Sequence, residues 1–530
     1  MTVREAVIGF LRSVGVDAIF GNPGSTELRM LRDWPDDLTY VLGLQESVVV
    51  ATAAGYAIGT GRAAFVSLHS AGGVGHALGS VFTAYRDRVP LLILAGQQTR
   101  GMLPTRPFLA ADEPAAFPRP YVKWSAQPSR AEDVPAALAE AYRVAMTPPR
   151  GPVFLSVPED DWDAPAEPVP VRAVHADFVG DPAGLRAVAD ALDRAEAPAL
   201  VIGAGVDQEG AQDLAVALAE RTRAAVWIGP MSGRSGFPED HRLFQGFLPP
   251  VRDQLATALQ NHDVVVALGA PVFRYHVHAG GPFLPDGTRL FQLDCDPSDA
   301  AWAPVGTSIL TTVKAGLAVL LDLVAERDRP DPPVRARPEP ARAEDPVRAA
   351  FVVDTLRRLM PPGAVLVEEA PSHREVLHRR LPVTRPGGFV TTGSGSLGWG
   401  LPVAVGRALA SGGERVVCLL GDGSTMYSVQ ALWTAARHRV PVTFVVLNNH
   451  GYAAVRQLGE RLDVKDPPGT ELEGIDFVGV ARGLGCPGHR VTGAADLEPV
   501  LRAALAADGP VLVEVPVADD EAPGYVRPPG

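Results

Sequence analysis

Six short stretches of the chain, AAFVSLHS, VPLLILAGQ, PALVIGAG, DVVVALGA, RVVCLLGDG and VTFVVLNN, are apolar at nearly every position rather than at every second one. Runs of this kind mark strands buried on both faces, as in parallel sheets covered by helices. Longer Ala/Leu/Arg-rich stretches separate them, so strand and helix alternate and the pattern predicts an α/β architecture. The opening segment, MTVREAVIGFLRSVGV, sets Arg4, Glu5 and Arg12 into an apolar period. It predicts an amphipathic helix, not a secretory leader. No apolar run reaches the roughly eighteen residues of a membrane span.

The alternation lapses twice, at Pro158–Pro182 and Glu326–Pro346, where proline and charge are dense and no apolar period survives. These stretches read as extended connectors. They divide the 530 residues into three doubly wound parallel-sheet domains, 1–180, 181–330 and 345–530. The first and third share positions at a constant offset: Gly55/Gly406, Ala57/Ala408, Gly61/Gly412, Val66/Val417, Leu68/Leu419 and Gly72/Gly423. They read as two copies of one module bracketing a different middle one.

With 46% hydrophobic and 21% charged residues, the chain is not a disordered one. A formal charge of −13 argues against nucleic acid or an anionic membrane as partner. Cys295, Cys418 and Cys486 are too scattered for a metal site or a disulfide framework. A soluble cytoplasmic protein acting on a small molecule is expected.

The densest chemistry lies between Arg415 and Arg456. One buried strand ends in GDGS (Gly421–Ser424), and the next ends at Asn448-Asn449. Adjacent parallel strands deliver both ends to one sheet edge, where open α/β folds bind ligands. The Asp422 carboxylate and the Asn449 amide oxygen suit Mg²⁺, which takes oxygen ligands and bridges to phosphate. Gly423 allows close backbone approach, and Ser424 adds a hydroxyl at a helix start. GDGS alone could be a capped turn; the asparagine pair after the next strand favours a metal–diphosphate site.

GDG followed about thirty residues later by NN resembles the thiamine diphosphate enzymes. The resemblance implies Mg²⁺ (Ca²⁺ as a substitute) on Asp422, Asn449 and the carbonyl of Gly451. It places Ser372, Gly423, Ser424 and Tyr452 around the cofactor, and gives the 4′-amino proton to the Gly395 carbonyl. Leu397, between glycines in GSGSLGWG, becomes the wedge that bends the cofactor. Glu46, after TYVLGLQ, becomes the carboxyl that activates the pyrimidine ring. In the family this glutamate and the diphosphate site belong to different subunits. A homo-oligomer with active sites at its dimer interface is therefore expected, with a tetramer by analogy.

FGNPGSTEL, VSLHSAGGVGHALG, APVFRYHVH, LAGQQTR, PRPYVKWS, GPVFLSVPEDDWD and ALWTAA resemble the benzoylformate decarboxylases within that family. The likeness extends over essentially the whole chain. It implies decarboxylation of an aryl 2-oxo acid to an aldehyde and CO₂ through an enamine on the cofactor. Ser25 would hold the substrate carboxylate, and His69 and His276 would move protons. His76 falls where the family has a polar residue near the cofactor. Thr391 and Leu458 replace aromatic residues of the pocket wall, so the pocket is roomier and branched alkyl 2-oxo acids are also compatible. A carboligase of the acetohydroxyacid synthase type stays open as an alternative. So does a nucleotide-binding module at VIGAGVDQEG, although its glycine pattern is incomplete.

Overall fold

The computed structural model describes residues 1–518, so the end of the third predicted domain lies outside the described residues. Three sheets, each of six parallel strands, carry helices on both faces. In spatial order the first comprises Thr39–Leu42, Ala18–Gly21, Ala64–Leu68, Leu91–Gln97, Val153–Pro158 and Ser125–Ala126. The third comprises Phe389–Thr391, Val365–Glu369, Val416–Gly421, Val442–Asn448, Val511–Pro516 and Gly488–Arg490. Ranked by sequence, both run 2-1-3-4-6-5, which makes the duplication seen in the sequence a duplication of topology. The middle sheet, spanning Pro198 to Leu310 along the chain, follows the different order 3-2-1-4-5-6. Residues 166–181 and 325–344, between the sheets, have no regular structure.

Nearly all-apolar strand segments such as Ala64–Leu68 and Val416–Leu420 are buried throughout, as their composition demands. The two copies of the module meet through equivalent helices, Glu46–Thr60 and Gly400–Ala410. A Cβ at Gly55 would lie 2.2 Å from the Val403 carbonyl oxygen, and one at Gly406 would lie 1.8 Å from that of Thr52. Gly59 lies against Ala410 in the same crossing. At the sequence offset of the repeat, Thr52 corresponds to Val403 and Gly59 to Ala410. The contact is therefore isologous, like that of a two-fold dimer, within one chain.

The glycines of VIGAG serve internal packing. A Cβ at Gly203 would lie 2.1 Å from the Gly269 carbonyl oxygen, and one at Gly205 would lie 2.8 Å from Gly269 Cα. Packing against the protein's own backbone thus accounts for these glycines without a bound nucleotide. All three cysteines are buried thiols. Among the described residues no helix is long and apolar enough to cross a membrane.

Candidate active site

In the third domain Val416–Gly421 and Val442–Asn448 pair in parallel, with Gly421 opposite Leu447, so Asp422 and Asn449 emerge at the same edge. Asp422 is only 3% exposed. Its Oδ1 accepts from the Gly423 N–H at 2.7 Å and its Oδ2 from the Gly451 N–H at 2.8 Å. Among the described residues no lysine or arginine forms an ion pair with it. Burial pushes this carboxyl above its ordinary value, with the two N–H groups opposing. A buried carboxylate held by amides but lacking an ion-paired cation fits a hard metal ion, whose charge would offset the burial. The Gly451 carbonyl accepts from Ala453 N–H at 3.1 Å and keeps a second lone pair. Asn449 is buried beside it. Asn448 acts elsewhere, where its amide donates to Glu514 at 2.8 Å and fixes the strand end.

Ser424 is buried in the first turn after the strand. Ser372, in the loop after Val365–Glu369, accepts from the Ala454 N–H at 3.1 Å, which leaves its own hydroxyl hydrogen to donate. The Tyr452 ring covers Gly423, where a Cβ would lie 2.3 Å from the ring. The donors predicted for a diphosphate thus surround one edge of the sheet.

The loop Gly393–Gly400 carries Gly395 and Leu397. Its anchor is Glu369, which the sequence reading did not single out. That carboxylate accepts from Gly398 N–H at 2.6 Å and from Gly400 N–H, fixing the backbone on both sides of Trp399. Burial pushes the Glu369 carboxyl up to about 8 against the pull of these donors. Gly395 and Gly398 take positive φ, 76° and 92°, which lets the loop turn on each side of Leu397.

Gly395, Leu397 and His276 line one cavity of about 500 Å³ between the middle and third domains. The His276 N–H is held by the Pro250 carbonyl at 2.8 Å. Burial, and then the Arg374 charge, lower the imidazole pKa. Thr391 does not face this cavity. Its hydroxyl donates to Glu368 at 2.7 Å and accepts from Arg374 at 3.0 Å, and Thr392 supplies the wall instead. Leu458, half-buried on the helix Ala453–Arg461, also stands outside the cavity.

The first domain gathers the remaining residues at its own switch in strand order, where the loops after Ala18–Gly21 and Ala64–Leu68 meet. His69 packs flat on Gly24, where a Cβ would lie 2.2 Å from Nδ1. Its Nδ1 bonds Glu27 at 2.9 Å, with the Thr26 hydroxyl at 3.1 Å. Glu27 is buried and also accepts from the Gly24 and Gly96 N–H groups at 2.9 and 3.0 Å. A carboxylate so satisfied holds the proton on Nδ1 and turns Nε2 outward as the working atom. Ser25 is exposed at the start of the same turn. Glu46 begins the helix Glu46–Thr60, its side chain 14% exposed, and bonds the exposed His76 at 3.0 Å.

Ser25, Glu46 and His69 do not line the cavity of His276 and Leu397. The helix Ser70–Arg86 keeps them apart: His69 caps its start, and Thr83, near its end, bonds Ser394 at 2.9 Å. Fourteen helical steps of about 1.5 Å put roughly 20 Å between them. Asp87 follows this helix and accepts from the Gly393 N–H at 3.0 Å.

Comparison with known proteins gives three domain matches. Residues 1–114 match the N-terminal TPP binding domain of thiamine pyrophosphate enzymes, 185–320 the central domain and 370–515 the C-terminal TPP binding domain. Benzoylformate decarboxylase of Pseudomonas aeruginosa is 42% identical over 521 residues, covering 97% of this chain and 98% of its own. The crystal structure of benzoylformate decarboxylase from Polynucleobacter necessarius superposes with a TM-score of 0.97 at 38% identity, covering 98% and 99%. A thiamine diphosphate-dependent 4-hydroxybenzoylformate decarboxylase of Rhodococcus jostii RHA1 gives 0.95 at 38%, covering 98% and 100%. Acetolactate synthase large subunits match at lower identity, 26% for that of Haemophilus influenzae over 98% of this chain and 94% of its own.

Proposed function

The chain belongs to the thiamine pyrophosphate enzymes, and we propose from that premise that it decarboxylates an aryl 2-oxo acid of the benzoylformate kind to an aldehyde and CO₂. The observation that carries this reading is the cavity that His276 shares with Gly395 and Leu397. It sets a proton-transfer group beside the loop expected to carry the reacting end of the cofactor. Thiamine diphosphate, when bound, supplies the carbon nucleophile and the sink for the electron pair left by CO₂.

The protein's own part is orientation and proton transfer. Asp422, Asn449 and the Gly451 carbonyl would hold Mg²⁺, with Ser372 and Ser424 donating to the diphosphate. Glu46 would hold a proton at the pyrimidine nitrogen, and the Gly395 carbonyl would accept from the amino group. Leu397 would support the cofactor. Ser25 donates to the substrate carboxylate. His276, its pKa lowered, presents an imidazole that can receive and return a proton, and His69 offers the ring nitrogen opposite the Nδ1 that Glu27 holds. Two such groups suit protonation of the carbon that has lost CO₂ better than its addition to a second carbonyl compound, which favours decarboxylation over ligation.

The roughly 20 Å between His69 and Ser394 supports a shared site. One protomer's Ser25, Glu46 and His69 would complete the cavity of another, with a dimer as the smallest working unit and a tetramer as its expected assembly. The test of the reaction is CO₂ release from benzoylformate, ring-substituted and branched alkyl 2-oxo acids, with wild type and His69→Ala. Benzaldehyde and CO₂ from benzoylformate, with a rate loss of about 100-fold or more in the variant, are expected. No CO₂ from any of these acids would overturn the reading.

A further inference from the structure

The cavity shared by His276 and Leu397 carries three arginines on its wall, Arg335, Arg374 and Arg379. Two are neutralised. Arg374 donates to Glu368 at 2.8 Å, and Arg379 pairs with Glu375. Arg335 is different. It reaches in from the proline-rich connector between the middle and third domains and packs over Gly246, with its guanidinium 5.6 Å from the centre of the Phe244 ring. Its one hydrogen bond among the described residues is a 3.4 Å contact to the His378 carbonyl. No carboxylate among the described residues lies within ion-pair distance.

The neighbours do not supply the missing charge. His378 stacks on Phe247 with ring centres 3.6 Å apart, and burial together with Arg374 and Arg335 keeps its pKa well below the ordinary value, so it is neutral. Glu239 is the acid whose charge acts on Arg335, but it is buried, with Oε2 on the Val383 N–H at 3.2 Å and Oε1 unpartnered. Burial pushes its carboxyl up to about 8, which leaves it largely protonated at neutral pH. Arg335 is thus a half-buried guanidinium whose counter-charge is absent from the described residues. Desolvating a cation without a partner is costly, and a planar guanidinium binds carboxylate or sulfonate in a fork.

We propose that Arg335 is a specificity residue that binds a second anionic group at the far end of the substrate, so that the preferred substrate is a dianionic aryl 2-oxo acid. The inference rests on the decarboxylase reading above. The reacting carboxylate belongs to the end of the site near Ser25, and Arg335 serves the ring substituent. The cavity, at about 500 Å³, has room beyond a phenyl group.

The test compares kcat/KM for 4-carboxybenzoylformate and 3-carboxybenzoylformate with that for benzoylformate, in wild type, Arg335→Gln and Arg335→Lys at low ionic strength. A ratio of rate constants does not depend on the fraction of enzyme that is folded. Wild type should prefer at least one carboxylated acid by about tenfold or more, Arg335→Gln should bring the ratio near one, and Arg335→Lys should fall between. A wild-type ratio at or below one, or a ratio unchanged in Arg335→Gln, overturns the proposal. Calorimetric titration with terephthalate and benzoate gives a readout that needs no turnover. Terephthalate should bind wild type about tenfold more tightly than benzoate and lose that margin in Arg335→Gln. Equal binding of the two by wild type overturns the proposal. Failure of every acid to release CO₂, with the terephthalate margin intact, would remove the decarboxylase reading and leave the anion site standing.

Discussion

The proposed sharing of active sites between protomers makes a quantitative prediction about two dead enzymes. Glu46→Gln removes the carboxyl of the first domain, and Asp422→Asn removes the charge of the proposed metal ligand of the third. Each alone should lower activity by about 100-fold or more. Mixed in equal amounts, dissociated and allowed to reassociate at random, about half of the dimers carry one chain of each kind. In such a dimer one site combines both substitutions and the other combines the native Glu46 of one chain with the native Asp422 of its partner. One of two sites in half of the dimers gives about a quarter of wild-type activity, well above either parent. The assay is CO₂ release from benzoylformate before and after subunit exchange, with native mass spectrometry counting the mixed species. Mixed dimers that form in the expected proportion but stay as inactive as their parents would refute the shared site.

Three further outcomes follow from side chains already placed. Glu27→Gln turns an acceptor of His69 Nδ1–H into a mixture of donor and acceptor. It should lower kcat by about 10-fold or more and shift the kcat–pH profile, with KM and melting temperature changed less. Gly406→Ala would drive a methyl into the Thr52 carbonyl and should lower the melting temperature by a few degrees, on the order of 3 kcal/mol, by calorimetry. For Glu239 the folded pKa, about 8, lies above the unfolded one. The folded state therefore binds the extra proton, and stability declines as pH rises from about 4.5 through 8. Glu239→Gln should flatten that decline; an unchanged slope in urea unfolding between about pH 5 and pH 8 would show that this group does not titrate as described.

The edge that carries Asp422 and Asn449 was legible because two nearly all-apolar strands announce a parallel pair, and parallel neighbours must end together. His276 and Leu397 came from resemblance and share a cavity. Thr391 shows the limit of that route. In a strand one residue separates opposite faces, so the aligned position turns to Glu368 while Thr392 meets the cavity. Glu369 was invisible because VLVEE does not say which N–H groups will stand at the end of the strand. Glu27 reads as an ordinary acidic residue at a helix start, and only folding brings Gly96 and His69 onto its two oxygens. Arg335 lay in a stretch whose composition reads as solvated connector, and nothing local indicates that one of its side chains turns inward.

The crossing of Gly55 with Val403 and of Thr52 with Gly406 has a bearing on how the protomer comes together. Two separate copies of the module would form that contact only above a threshold of dilution. Here the middle domain tethers them, so the encounter is intramolecular and its extent does not vary with protein concentration. Dilution therefore leaves the two modules of each chain mated.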